Sequence, residues 1–212
     1  MKHEWRKHEK SLYLPKTKPE LVTVPRQKFL MIKGCGNPNS PDFSERIGVL
    51  YALAYAIRMM PKNGFTPEGY EEYTVYPLEG LWDLTEEGKN QDHLDKNELL
   101  YIIMIRQPEF VTPEVVDKAF QITRKKKPHI LLDEVTFGEL EDGLSVQVLH
   151  NGPYDTESES FEKMKAFIDE NALEIVTLEH REIYIKAARD IPTQAELAKL
   201  KTVLRYRVRE KR

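Results

Sequence analysis

The chain has 212 residues, with 32 Lys plus Arg against 35 Asp plus Glu and a formal net charge of −3, which argues against a dedicated nucleic-acid binder. Hydrophobic residues make up 40% and charged residues 32%, a balance that excludes a disordered or membrane-embedded chain, and no run approaches the roughly 18 apolar residues of a spanning helix. Cys35 is the single cysteine, so no internal disulfide or Cys-based zinc site can form; with no signal-like apolar run near His3-Glu4-Trp5-Arg6, the expectation is a cytoplasmic globular protein.

Residues 1–20 read as an N-terminal surface arm anchored by Trp5, Leu12 and Tyr13. Residues 21–212 read as one domain with halves of about 21–127 and 128–212. Leu21 to Lys33 predicts a strand whose early part is demoted by Pro25, followed by the turn cluster Gly34 to Asn39. Ser40-Pro41-Asp42 is a helix start, and Phe43, Ile47, Leu50, Tyr51, Ala54 and Ile57 keep helical spacing until Pro61. Strands follow near Tyr73 to Leu81 and at Leu99 to Arg106; the second is apolar on both faces, as a central strand is. Thr112-Pro113-Glu114 opens another helix that ends at the basic run Arg124 to Lys127. The next strands are Leu131 to Leu140 and Leu144 to His150, joined through Asp142-Gly143, a pair that favours a tight hairpin. Thr156 and Glu159 have capping-box spacing, and Phe161, Met164, Phe167 and Ile168 form a helix stripe that stops near Asn171. Strands near Ile175 to Lys186 and Val203 to Val208 complete the order.

The halves echo each other. Phe29 to Lys33, a Gly-Asn-Pro turn and a helix opening at Phe43 parallel Val146 to His150, Asn151-Gly152-Pro153 and a helix carrying Phe161. The reading is an α+β fold of duplicated β-α-β-β units related by a pseudo-two-fold axis, with a shared cleft of the kind where ligand pockets form.

The strand His180 to Ile185 carries the most informative pattern. Alternation puts Arg181, Ile183 and Ile185 on one face and His180, Glu182 and Tyr184 on the other. Glu182 with an aromatic two residues away suits one ligand, and a carboxylate among rings attracts cations. A solvent-facing Glu on a half-exposed strand satisfies the same pattern. Tyr51 and Tyr55 lie one helical turn apart, and with Trp82, Tyr101 and Tyr154 they are candidates for sandwiching a planar ligand, against the alternative of ordinary core packing. The histidines show no metal-pair spacing, no nucleophile elbow or phosphate loop occurs, and Arg124 to Lys127 suits a helix C-terminus.

These residues resemble the GyrI-like small-molecule-binding family. His180-Arg181-Glu182-Ile183-Tyr184-Ile185 is similar to its signature strand, and His150-Asn151-Gly152-Pro153-Tyr154-Asp155 followed by Phe161 to its turn into the second helix. Glu4-Trp5-Arg6-Lys7, Gly34 to Asn39, Tyr76-Pro77-Leu78-Glu79-Gly80, Ile105-Arg106-Gln107-Pro108 and Lys199 to Tyr206 resemble the stand-alone bacterial subgroup. The resemblance implies helices packed on a concave antiparallel sheet, a ligand cleft between halves and a pocket acid at Glu182. It further implies binding of planar or lipophilic xenobiotics and, as in some stand-alone members, hydrolysis of cyclopropanoid DNA-alkylating compounds without metal or organic cofactor. The site residues expected are Glu182 as catalytic group and Tyr154, Tyr184, Trp82, Tyr55, Tyr51 and Tyr101 as ligand contacts. The partner is then a small molecule, not nucleic acid or membrane. A non-catalytic sequestering protein and a gyrase-inhibitor-like interaction module are the alternatives. Neither oligomeric state nor natural substrate follows from the residues.

Overall fold

Prolines and turn glycines divide the chain into strands and helices, which the computed structural model describes over residues 2–187 and 193–211. In chain order these are β1 (Glu20–Val24), β2 (Gln27–Cys35), α1 (Pro41–Arg58), β3 (Leu78–Leu84), β4 (Leu99–Gln107) and α2 (Pro113–Lys126). Then follow β5 (Thr136–Leu140), β6 (Gly143–Asn151), α3 (Glu157–Glu170), β7 (Leu173–Ile175), β8 (His180–Lys186) and β9 (Lys201–Glu210). The chain forms two compact units, one holding the residues up to Glu4 and Gln27–Leu140, the other Trp5–Arg26 and the chain from Glu141 onward. No described helix is long and apolar enough to cross a membrane.

In the first unit the antiparallel order is β3-β4-β2-β5. Helix α1 starts where Ser40 accepts the Phe43 N–H at 3.4 Å and Pro41 sits at its first position. Phe43, Leu50, Leu53 and Ile57 are its buried residues, and α2 packs alongside it. Thr112 caps α2 in the same way through the Val115 N–H.

The second unit repeats this connectivity. Its antiparallel order is β1-β6-β9-β8, so β8-β9-β6 matches β3-β4-β2. Met164 and Ile168 of α3 are buried with Val146, Val148, Leu204 and Tyr206, and Phe161 and Phe167 pack at the edge of that cluster. Both units are therefore mixed α+β, each a strand, a helix and two further strands on an antiparallel sheet.

Several local expectations are corrected. Leu21 to Lys33 is two strands, because Pro25 lacks the N–H a continuous ladder needs. Strand β3 starts at Leu78, after Pro77, while Tyr73 is buried and makes an isolated bridge to His3. Ile130–Glu134 is a 3-10 turn, so only Thr136–Leu140 is extended. The arm lies on the surface with most of its residues exposed or half-buried, held by its apolar anchors. It forms helical turns at Trp5–His8 and Lys10–Tyr13, with Trp5 and Tyr13 buried and their rings 5.2 Å apart. Gln147 and Arg205 tie it down by donating to the carbonyls of Ser11 and Leu12 at 2.6 and 2.9 Å.

The Asp142-Gly143 hairpin does not form either. Gly143 has the turn-type φ of 65°, but β5 pairs with β2 whereas β6 pairs with β1 and β9. Asp142 is instead buried against two guanidiniums, 2.6 Å from Arg181 and 3.5 Å from Arg205. Burial pushes its carboxyl up, but the two cations outweigh that and hold it below its ordinary value.

Candidate functional site

Period-two alternation in β8 buries Arg181, Ile183 and Ile185 and turns His180, Glu182 and Tyr184 to the other face. On that face the Tyr184 hydroxyl donates to Glu182 Oε2 at 2.7 Å, and His180 Nε2 lies 3.1 Å from Oε1. His180 is held edge-on by two rings, 4.8 Å from Phe161 of α3 and 6.0 Å from Tyr206 of β9. Tyr154, in the turn before α3, stands perpendicular to Tyr184 with centroids 6.0 Å apart. It is 40% exposed, so the aromatic pair reaches solvent at this end. Glu182 itself is largely covered, with 12% of its side chain accessible.

The geometry adds a residue that sequence reasoning misses. Glu157, the first residue of α3, is 7% exposed, and burial followed by the charge of Glu182 pushes its carboxyl up to about 9. It is therefore a neutral acid at pH 7 beside a second carboxyl. Its carboxyl lies against Glu182 and the buried hydroxyl of Thr202, the β9 residue paired with Tyr184.

A histidine latch positions this helix start. His150, buried at the end of β6, places Nε2 3.1 Å from the Pro153 carbonyl and Nδ1 2.9 Å from the Ser160 hydroxyl. A carbonyl only accepts, so Nε2 carries the proton and Nδ1 accepts from Ser160. Thr156 also donates to Pro153 O at 2.8 Å. That use of its hydroxyl explains why the expected Thr156 and Glu159 capping box is absent: Thr156 makes no cap hydrogen bond. The turn that presents Tyr154 and Glu157 is thereby fixed to the strand and helix on either side.

The remaining candidates lie in the first unit. Trp82 and Tyr101 are buried and pack with Phe43, at 5.3 Å from each other and 5.8 and 5.0 Å from its ring. Glycines make room for them: a Cβ on Gly80 would stand 2.6 Å from Trp82 Nε1, and one on Gly34 2.4 Å from the Tyr101 hydroxyl. Tyr51 and Tyr55 of α1 form a separate pair 6.3 Å apart, half-buried and exposed respectively. The structure thus brings Tyr154 and Tyr184 to Glu182, groups Trp82 with Tyr101, and sets Tyr51 and Tyr55 on a helix face.

A strand-helix-strand-strand unit used twice on antiparallel sheets makes this an α+β protein of duplicated units. Residues 17–207 match the model of the GyrI-like small molecule binding domain, and the chain belongs to that family. Among solved structures it is similar to a hydrolase from Listeria innocua at 33% identity and a TM-score of 0.87, covering 98% of this chain and 100% of that one. It is also similar to an uncharacterized conserved protein from Listeria innocua at 35% identity and a TM-score of 0.88, with the same coverage. The C-terminal domain of EcmrR shares the fold, at 14% identity and a TM-score of 0.51 over 91% of this chain and 98% of that one. No curated protein matches the chain.

Proposed function

We propose that the Glu182 site binds a planar, lipophilic electrophile and adds water to it, with a cyclopropane conjugated to a carbonyl as the substrate class. The observation that carries this reading is the carboxyl pair beneath two tyrosines: Glu157 holds a proton at neutral pH and Glu182 lies beside it. The hydrolase from Listeria innocua, similar over the whole chain, supports a hydrolytic role.

The steps balance as a net addition of water. Water oxygen bonds to a cyclopropane carbon as its proton passes to Glu182, and the strained ring bond breaks. The released electron pair moves into the conjugated carbonyl, whose oxygen takes the proton of Glu157. A proton passed from Glu182 to Glu157 restores both groups. Tyr154 and Tyr184 supply flat faces that hold the ligand, and positioned acid–base help of this kind is worth roughly 10²–10⁴ in rate.

Incubating the protein with a cyclopropanoid in ¹⁸O-water and weighing the product tests the reaction. A protein-dependent water adduct carrying ¹⁸O is expected. Unchanged compound bound in stoichiometric amount would replace this reading with that of a sequestering protein.

A further inference from the structure

We propose a second ligand site in the first unit, the groove between α1 and α2, for a small planar aromatic anion of one or two rings. The groove is open to solvent along one side and holds about 330 Å³, at the lower end of the range for ligand pockets. Its α1 side is lined by Gly48, Ala52 and Ala56, each one turn from the last, so the floor is flat. Gly48 stands inside the helix, where glycine costs about 1 kcal/mol relative to alanine, and a Cβ there would meet nothing within 4 Å. No packing demand accounts for that glycine. Its absent side chain keeps the floor clear.

The walls and the far end state the chemistry. Tyr51 and Tyr55 line one side with rings tilted by 35°, giving a planar ligand an aromatic surface. Thr123 and Ile122 of α2 line the facing side, Thr123 being 3% exposed. Lys126 and Lys127 close the end; both are exposed, whereas the neighbouring Arg124 is paired with Asp133 at 2.6 Å. No carboxylate is among the lining residues. Two cations and aromatic walls select an aromatic ring bearing a carboxylate, sulfonate or phosphate and reject an aromatic cation.

The test is a titration of the whole protein with 1-naphthoate, followed by backbone amide NMR shifts, with 1-naphthylmethylammonium as the same ring of opposite charge. Naphthoate is expected to move the amides of residues 48–59 and 122–127 to saturation, and to bind at least about tenfold more tightly than the ammonium. The double change Lys126→Gln and Lys127→Gln, on exposed side chains, should weaken naphthoate about tenfold. Gly48→Leu, which fills the floor at a helical position with free space, should abolish binding while the rest of the spectrum stays that of the folded protein. Equal affinity for the two probes, undiminished binding by Gly48→Leu, saturating shifts centred on Glu182 and Tyr184, or no saturable shift would each overturn the proposal.

Discussion

At Glu157 two demands oppose each other: a carboxyl at a helix start gains from the positive end of the dipole, yet burial beside Glu182 penalises its charge. Burial wins, and stability depends on pH as a result. The folded state holds the proton up to about 9, whereas the unfolded chain releases it near its ordinary value of 4.5. The native state therefore binds more protons between these values, and stability is full below the lower one and falls as pH rises through the window. Glu157→Gln should flatten that fall, so that the variant loses less stability than the parent between pH 6 and pH 8, measured by urea unfolding at the two values. The same change should cut turnover by roughly 10²-fold, because an amide cannot deliver the proton. The face that Glu182 shares with His180 and Tyr184 is legible in the sequence from strand alternation, whereas its candidate role comes from the family resemblance. Sequence reasoning misses Glu157, because an acid in a first helical turn ordinarily serves the dipole in solvent.

Among the elements, the turn from β6 into α3 rests on one imidazole. Removing it in His150→Ala takes the acceptor from the buried Ser160 hydroxyl, while the Pro153 carbonyl keeps the Thr156 hydroxyl, at a cost of about 1–3 kcal/mol by urea unfolding. Turnover should fall along with stability, because Tyr154 and Glu157 lie within the turn it latches. Helix starts are legible here because Ser40-Pro41 and Thr112-Pro113 encode them locally. Strand pairing is not. The Asp142-Gly143 pair specifies a turn, but which strands flank it depends on long-range partners, and Asp142 answers to Arg181 and Arg205. The stretch from Tyr73 to Pro77 has strand-forming residues, but Tyr73 is committed to the His3 bridge and Pro77 lacks a ladder donor.

For the whole molecule, the duplication is readable because two strand-turn-helix patterns recur with similar spacing, whereas the membership of residues 5–26 in the second unit is not. That membership depends on buried Trp5 and Tyr13 and on β1 pairing with β6, contacts more than a hundred residues apart in the chain. A fragment of residues 128–212 lacks all of them and should show no cooperative unfolding by circular dichroism, whereas the full chain unfolds cooperatively. The GyrI-like family assignment rests on residues 17–207 and the proposed chemistry on the carboxyl pair, so the most direct measurement compares Glu182→Gln with the parent protein for ring-opened product from a cyclopropanoid by mass spectrometry. The account predicts that the variant still binds the compound and forms water adduct roughly 10²–10⁴-fold more slowly. A variant that binds and turns over at the parental rate would contradict it.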